Sequence, residues 1–199
     1  MTRLVLASGS ASRRAMLTAA AVPFEAVRPS VDEDAAKASL RAEGHDARQL
    51  ADALAELKAL SLSRRLPGAL VLGCDSTLEL EDGTMLDKAE DRTEAAMQLR
   101  QLWGRPHKLI SAAVACQNGV PVWRHVDATK LHVRAFTDAF LESYLDAEGE
   151  TILACVGCYR LEGMGAQLFE RIEGSHFTVM GLPLLPLLAW LRERDVIAR

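Results

Sequence analysis

Small and basic residues near the N-terminus are ordered as in an anion-binding loop. The apolar run Leu4–Ala7 leads into five small residues beginning at Ser8, and Arg13 and Arg14 follow. A strand, a small-residue loop and a helix start direct unpaired backbone N–H groups and the positive end of a helix dipole at a negative ligand. Serine hydroxyls add donors, and arginines bind phosphate through paired hydrogen bonds. The alternative is that Ser12 caps a helix whose first turn carries two solvated arginines.

Two acidic positions are candidates for the chemical step. Asp75 follows the apolar run Ala69–Cys74, which predicts a strand buried on both faces. Ligands of open α/β sheets bind beyond the strand ends, and a buried carboxylate is costly without a partner, so Asp75 is the strongest catalytic candidate. The alternative is a turn-forming aspartate bonded to its own backbone. Glu33 is either a metal-binding carboxylate or part of the acidic first turn of a helix, which the local sequence favours.

Two lysines have an ambiguous setting. Lys58 lies four residues after Leu54 on a predicted long helix, where it either snorkels along the helix flank or reaches into a cleft. Lys88 comes shortly after a predicted hairpin turn at residues 81–84, and we expect it to return towards the end of the same strand pair.

Apolar periodicity and turn residues predict the elements that must position these side chains. The Asn118-Gly119 pair is a strong hairpin signal. The predicted helices cover about residues 12–21, 46–65, 91–103 and 137–147, with a last helix opened by Pro183. The predicted strands cover residues 4–7, 24–28, 69–74 with an extension over 78–80, 109–116, 121–133 and a short segment at 168–169.

Composition limits the class of protein. The chain has 199 residues, 49% of them apolar and 25% charged, as expected of one globular domain or two small lobes. A net charge of −4 argues against a general nucleic-acid binder. The sequence shows neither a membrane span nor a signal peptide, so we expect a cytoplasmic protein without a membrane partner.

The four cysteines are most simply free thiols of a reducing compartment. Cys155 and Cys158 have the C-x-x-C spacing of some zinc and redox sites. No second Cys/His pair accompanies them, so the spacing alone favours neither metal nor redox chemistry.

Several separate segments together resemble the Maf-type nucleoside triphosphate pyrophosphatases. They run from end to end of the chain in family order: residues 6–14, 31–33, 57–59, 73–76, 87–88, 104–107, 157–165, 174–175 and 179–183. The resemblance implies one Maf-like domain over residues 1–199, with the elongated α/β fold of the Maf/ITPase type. That fold has a curved mixed sheet flanked by helices, and two lobes around a central cleft.

The resemblance also implies a reaction and roles for the candidate residues. The reaction is hydrolysis of a nucleoside triphosphate to the monophosphate and pyrophosphate, with Mg²⁺ or Mn²⁺ as cofactor. Asp75 matches the catalytic acid, which with Glu33 would hold the metal or orient water; which acid acts as base stays open. The phosphate-binding set is matched by Ser8, Arg13, Lys58 and Lys88, with Arg14 beside it in the same motif.

The resemblance extends to a branch of the family. Glu162 stands where the dTTP/UTP branch usually has glutamine, and it looks more like the branch that prefers 7-methyl-GTP. A carboxylate accepts from guanine N–H groups and pairs with the positive charge of a 7-methylated base. Other positions depart from the common pattern: Ser12 lacks the tryptophan of that branch, Ser76 replaces threonine, and Ala89 replaces proline.

These departures keep other functions open. The dTTP/UTP activity of the same family is one alternative, and a non-catalytic nucleotide-binding regulator of cell division is another. A purely structural partner protein explains the cationic residues beside Asp75 and Glu33 poorly. The resemblance also makes a homodimer plausible, although the sequence carries no interface signal of its own.

Overall fold

The computed structural model describes residues 2–198, and within them the strands form one mixed sheet flanked by helices. The strands are β1 (Leu4–Ala7), β2 (Glu25–Val27), β3 (Leu70–Leu80), β4 (Met85–Leu86), β5 (Pro106–Gln117), β6 (Val120–Val133) and β7 (Phe169–Glu173). Their order is β2-β1-β3-β5-β6-β7, with β4 paired to β3. Because β1 is parallel to β2 and β3, while β4 and β7 are antiparallel to their partners, the predicted α/β fold with a mixed sheet is confirmed.

Helices occur throughout the described chain. They are α1 (Ala11–Ala19), α2 (Glu33–Ala42), α3 (Ala47–Ser63), α4 (Arg92–Leu102), α5 (Asp138–Glu148), α6 (His176–Val179) and α7 (Leu184–Glu193). Two 3₁₀ helices, Gly149–Ala154 and Met164–Leu168, lie in the last third. No helix among residues 2–198 combines the length and apolar character needed to cross a membrane.

The chain divides into two compact units. The first takes in the chain up to Ser76, Ser111–Asp127 and the residues from Gly181 onwards; the second takes in Thr77–Ile110 and Ala128–Met180. Strands β3, β5 and β6 contribute residues to both. The prediction of a single domain over residues 1–199 stays a prediction.

In the first unit, β1 is buried along its whole length. It pairs in parallel with β2 through Val5↔Glu25 and with β3 through Val5↔Val71. A strand with parallel partners on both sides has no polar face, which accounts for the continuous apolar run Leu4–Ala7. The chain leaves β1 for α1 through the small-residue loop, so the predicted order of strand, loop and helix is confirmed.

Helix α3 of the same unit begins at a capping box. The Asp46 carboxylate accepts from Gln49 N–H at 2.8 Å, and the Gln49 side chain accepts from Asp46 N–H at 3.0 Å. Its buried stripe includes Leu50 and Leu54, and Lys58 continues that stripe one turn further. The stripe therefore carries a lysine into the interior of the unit, where an apolar residue would be expected.

In the second unit, local signals set the hairpin and the helix starts. Strands β3 and β4 pair through Leu78↔Leu86, and the turn between them is closed by Asp82, which accepts from Thr84 N–H at 2.9 Å. Asp91 caps α4 and Thr137 caps α5. The helices pack on an apolar core with Tyr144 among its largest fully buried side chains.

Three local expectations differ from the structure. The N-cap of α1 is Ser10 and not Ser12, because Ser10 is the residue whose hydroxyl accepts from Arg13 N–H. Strand β3 does not end before Asp75; it continues to Leu80 because β4 pairs with its second half. Pro183 lies at the N-cap of α7, one position before the helix begins.

His107 of the second unit predicts an acid sensitivity of stability. The ring is 1% exposed, and its Nε2 lies 2.8 Å from the Tyr159 hydroxyl, while Nδ1 is buried without a hydrogen-bond partner. Burial lowers the pKa of His107 from 6.5 to about 4, and the charge of His132 adds to this. Above pH 6.5 the His107 ring is neutral in both the folded and the unfolded protein. Between pH 6.5 and about 4 the ring gains a proton only in the unfolded protein. The contribution of His107 to the free energy of unfolding therefore falls as the pH approaches 4, by about 3 kcal/mol in all.

The measurement is urea denaturation at several pH values between 4 and 7 for the wild type and His107→Gln. The amide of glutamine does not titrate, so the variant is expected to lose part of the acid-induced fall in unfolding free energy. Parallel pH curves for the two proteins would refute the prediction, whatever their absolute stabilities.

Candidate active site

The loop between β1 and α1 carries Ser8, and α1 carries Arg13. Ser8 is buried and its hydroxyl accepts from Ser10 N–H at 3.2 Å. Ser10 in turn caps α1, so each serine holds the loop in shape at the helix N-terminus. The loop leads directly into the N-terminus of α1, where the helix dipole favours negative charge.

Arg13 is folded back from α1 into the interior and is 9% exposed. Its Nε donates to the Gly181 carbonyl at 2.7 Å. Nη1 donates to the Ser8 hydroxyl at 3.3 Å and to the Cys74 carbonyl at 2.9 Å, while Nη2 donates to the Ser76 hydroxyl at 3.1 Å. The Arg13 guanidinium thus links the loop, strand β3 and the segment that leads into α7.

Lys58 and two carboxylates form a charged cluster in the first unit. The Lys58 ammonium lies 2.6 Å from Asp75 Oδ1 and 2.8 Å from Glu33 Oε2. The Lys58 and Asp75 side chains are 7% and 8% exposed, whereas the Glu33 side chain is 40% exposed. The hypothesis that Lys58 reaches into a site is therefore supported over the snorkelling alternative, because its charge is buried against Asp75.

Asp75 occupies an unusual position on its strand. The pairing of β3 with β1 ends at Ala7↔Gly73, two residues before Asp75. The carboxylate thus lies just past the end of its parallel neighbour, where ligands of open α/β sheets bind. Asp75 Oδ2 is buried and has no hydrogen-bond partner, so the alternative of a turn-forming aspartate bonded to its own backbone is not observed.

Glu33 combines the two interpretations offered by the sequence. It is the first residue of α2, which Asp32 caps by accepting from Ala35 N–H at 3.0 Å, so the acidic helix start is confirmed. Its side chain nevertheless reaches Lys58. A carboxylate favoured by a helix dipole is therefore also part of the charged cluster.

The cluster has some of the properties of a cation site. Residues 2–198 contain no group of three or more His, Cys, Asp and Glu side chains arranged to hold a metal by themselves. Mg²⁺, however, is commonly held by one or two carboxylates together with substrate phosphates and water. The unpartnered Oδ2 of Asp75 and the partly exposed carboxylate of Glu33 fit such a shared site.

Cys74 contributes its backbone and not its thiol. Burial raises the pKa of the Cys74 thiol to about 11, although the charges of Arg13 and Lys58 oppose the rise. The thiol therefore stays protonated at neutral pH and is a poor nucleophile or metal ligand. Its carbonyl, in contrast, accepts from Arg13.

Arg14 is not part of this arrangement. It is exposed on α1, and none of the hydrogen bonds or ion pairs described for residues 2–198 involves its side chain. The structure therefore joins Ser8, Arg13, Lys58, Asp75 and Glu33 in one region of the first unit and leaves Arg14 on the surface.

The remaining predicted residues belong to the second unit. Lys88 is exposed two residues after β4. Glu162 lies 3.6 Å from Arg160, whose guanidinium also lies 3.3 Å from the buried carboxylate of Glu148. Glu148 further accepts from Met164 N–H at 2.6 Å, so it holds both sides of the segment that carries Glu162.

The C-x-x-C pair belongs to the second unit. Cys155 and Cys158 are free thiols, and neither belongs to a group among residues 2–198 that could hold a metal. Burial raises the pKa of both thiols, that of Cys158 to about 11. Both thiols therefore stay protonated at neutral pH.

Four contributors to these arrangements were not predicted from the sequence. They are Ser76, Ser111, Gly181 and Glu148, of which Ser76 and Ser111 share a 2.8 Å hydrogen bond between their hydroxyls. Only Ser76 and Gly181 fall in the segments that carry the family resemblance, and neither residue type indicates by itself what it contacts.

Comparison with known proteins supplies the family. Residues 3–194 match the family described as Maf-like protein. A Caulobacter vibrioides protein named nucleoside triphosphate pyrophosphatase is 52% identical over 192 residues, covering 96% of each chain. One of the same name from Sphingopyxis alaskensis is 51% identical over 189 residues, covering 95% of this chain and 96% of the relative.

A third relative of that name, from Granulibacter bethesdensis, is 47% identical and covers 98% of each chain. A solved structure of a HAM1 protein from Coxiella burnetii covers 67% of this chain and 73% of its own at 16% identity, with a TM-score of 0.45 that is too low to support an inference. The match over residues 3–194 and the identities near one half, over nearly full length, lead to one conclusion: the chain belongs to the Maf family.

Proposed function

We propose that the protein is a nucleoside triphosphate pyrophosphatase, a hydrolase of phosphoric anhydride bonds. The observation that carries this proposal is the buried Asp75–Lys58 pair with the partly exposed Glu33 beside it, in which one carboxylate oxygen of Asp75 has no partner. A buried charged group kept partly unsatisfied is costly for a purely structural role. The names of the relatives support the same activity.

The reaction makes demands that these residues can meet. Water attacks the α-phosphorus, and the bond from that phosphorus to the oxygen bridging the β-phosphate breaks, so that pyrophosphate leaves with the added charge. The ammonium of Lys58 and the N–H groups ahead of α1 stabilise negative charge on the phosphates. One carboxylate of the cluster orients the attacking water and accepts its proton.

We propose Asp75 and Glu33 as the residues that hold a divalent cation, Mg²⁺ or Mn²⁺. When bound, the cation polarises a phosphoryl oxygen and offsets the charge that develops during the reaction. Lys58 already neutralises one of the two carboxylates, so the cluster carries a net charge of about −1 before metal arrives. Substrate phosphates would supply the remaining ligands.

The proposed activity is tested by product analysis. Purified protein is offered 7-methyl-GTP, GTP, UTP, dTTP and CTP, with Mg²⁺ and then with Mn²⁺, and pyrophosphate is separated from orthophosphate. Pyrophosphate release from at least one nucleotide is the expected result. Tight nucleotide binding without any product would instead favour the non-catalytic regulator.

Within this activity we propose the 7-methyl-GTP branch. Glu162 supports it, because a carboxylate accepts from guanine N–H groups and pairs with a positively charged base. Arg160 lies near Glu162 and also near the buried Glu148, so its single positive charge is shared between these two carboxylates. Preferential turnover of UTP or dTTP would keep the enzyme and remove this branch assignment.

Substitution of Glu162 predicts a change of substrate preference. Glutamine at this position keeps an acceptor but loses the charge, so the ratio of kcat/KM for 7-methyl-GTP to that for UTP is expected to fall by about tenfold or more. Steady-state kinetics on both nucleotides measures the ratio. Glu150→Gln, at an exposed glutamate of the same unit, is the matched control and is expected to leave the ratio unchanged. An unchanged ratio in Glu162→Gln would contradict the role.

A further inference from the structure

We infer that Arg13 is a positioning residue that holds the two residues on either side of Asp75, and not a bidentate clamp on the substrate phosphates. The inference rests on the proposed function, because it assigns Arg13 a task in aligning the catalytic carboxylate. Two contacts carry it. Arg13 donates to the carbonyl of Cys74 at 2.9 Å and to the hydroxyl of Ser76 at 3.1 Å, and these two residues flank Asp75 directly.

The donors of Arg13 are almost fully used inside the protein. A guanidinium has five N–H groups, and a bidentate grip on phosphate needs two parallel ones. Four are engaged, with the Gly181 carbonyl, the Ser8 hydroxyl, the Cys74 carbonyl and the Ser76 hydroxyl. Only one N–H is left, so Arg13 cannot hold a phosphate in bidentate fashion without giving up a bond to its own fold.

On the side that faces β1, strand β3 loses its backbone partner just before Asp75. Its pairing with β1 ends at Gly73, so the ladder to that neighbour stops before Asp75. The guanidinium donates to the carbonyl of the next residue, Cys74. Catalytic groups have to be held within about 0.5 Å of their working position, and a side-chain bond at the end of a ladder serves that purpose.

A second tie runs from Ser76 to the neighbouring strand. Its hydroxyl accepts from Arg13 and also lies 2.8 Å from the hydroxyl of Ser111, which is fully buried in β5. Asp75 is thus followed by a residue anchored on two sides. Ser76→Ala removes both anchors while it leaves the charge of Arg13 in place.

The Nε side of the Arg13 guanidinium packs closely against Gly181. Gly181 has a φ of +95°, and a Cβ at this position would lie 3.2 Å from Arg13 Nε and 3.4 Å from the Ser76 hydroxyl. A side chain here would be strained by the backbone conformation and would press on the arginine, so glycine suits both. The hydrogen-bond partners of Arg13 come from residues far apart in the chain. Such a set of partners is not expected of an arginine that serves only as a mobile phosphate ligand.

The test separates alignment of Asp75 from binding of phosphate. The wild type, Arg13→Lys, Ser76→Ala and Ser76→Thr are compared by steady-state pyrophosphate release, by thermal unfolding, and by calorimetric binding of a nucleoside triphosphate with a methylene bridge between the α- and β-phosphates. Arg65→Lys, at an exposed arginine of the same unit, controls for the exchange of a guanidinium for an ammonium.

We expect kcat to fall by about 10²-fold in Arg13→Lys, because a misplacement of about 1 Å has this effect. In Ser76→Ala we expect a fall of about tenfold, and in Ser76→Thr, which keeps the hydroxyl, a value near that of the wild type. The dissociation constant of the analogue should change little in all three variants. If Arg13→Lys does not fold, the alanine and threonine variants at Ser76 decide the question.

Two results would overturn the inference alone. One is a loss of analogue affinity in Arg13→Lys as large as its loss of kcat, which would make Arg13 a direct phosphate ligand. The other is an unchanged kcat in both Arg13→Lys and Ser76→Ala. If the wild type itself released no pyrophosphate, the proposed function would fail, and with it the role of Asp75 that the inference assigns Arg13 to support.

Discussion

Asp75→Asn is expected to lower kcat for pyrophosphate release by on the order of 10³-fold, in a protein that still folds. Asparagine removes the charge that would help to hold a cation and accept a proton from water, while its side-chain oxygen can still accept from Lys58. Lys58 keeps its ion pair with Glu33 at 2.8 Å, so the variant does not leave a buried ammonium without a partner. The loss should therefore appear in chemistry and not in folding.

Three measurements check this result: single-turnover pyrophosphate release, thermal unfolding, and calorimetric binding of Mn²⁺ in the absence of nucleotide. Release should be nearly abolished, unfolding should shift little, and Mn²⁺ binding should weaken. Asp82→Asn is the matched control, because Asp82 is an exposed turn aspartate whose contact with Thr84 N–H an asparagine can keep. Full activity in Asp75→Asn would remove the central residue of the proposed mechanism.

The order of elements could be predicted because its signals are local. The Asn118-Gly119 turn between β5 and β6 has both residues at positive φ, 52° and 78°, as this dipeptide predicts. Caps such as Thr137 lie next to the helices they begin. Errors arose where neighbours of similar type compete, as at Ser10 and Ser12, and where a strand is prolonged by a partner strand, as in β3.

The chemistry of the site was only partly predictable for a different reason. A lysine four residues after Leu54 has the same local pattern whether it snorkels or is buried, and only the arrival of Asp75 from β3 decides between them. Arg13 and Gly181 are 168 positions apart, and no local pattern links them. The sequence thus identifies charged residues, but their hydrogen-bond partners come from the tertiary fold.

Gly73 shows how tightly that fold fixes the site. The residue is in β3, two positions before Asp75, and α3 crosses it so closely that a Cβ would lie 2.6 Å from the backbone nitrogen of Ala59 and closer still to the carbonyl of Ala55. Both are backbone atoms of the turn that carries Lys58. They can make room only if the helix itself moves.

Gly73→Ala is therefore expected to lower the free energy of unfolding by about 3 kcal/mol or more, the upper end of what an overpacked core site costs. Urea denaturation measures the loss. Gly9→Ala is the control within the same unit, because a Cβ at Gly9 meets nothing within 4 Å and its φ is not in the left-handed region. It should change stability by less than about 1 kcal/mol.

The effects of Gly73→Ala on stability and on pyrophosphate release should be linked. Any shift of α3 that admits the new methyl group also moves Lys58 away from its 2.6 Å contact with Asp75. The fraction that stays folded should consequently release pyrophosphate more slowly than the wild type, by about 10²-fold if the displacement is near 1 Å. A stable Gly73→Ala variant with wild-type turnover would contradict this prediction. It would mean that α3 can move away from β3 without loss of stability, and that the contact between Lys58 and Asp75 does not depend on the packing of α3 on β3.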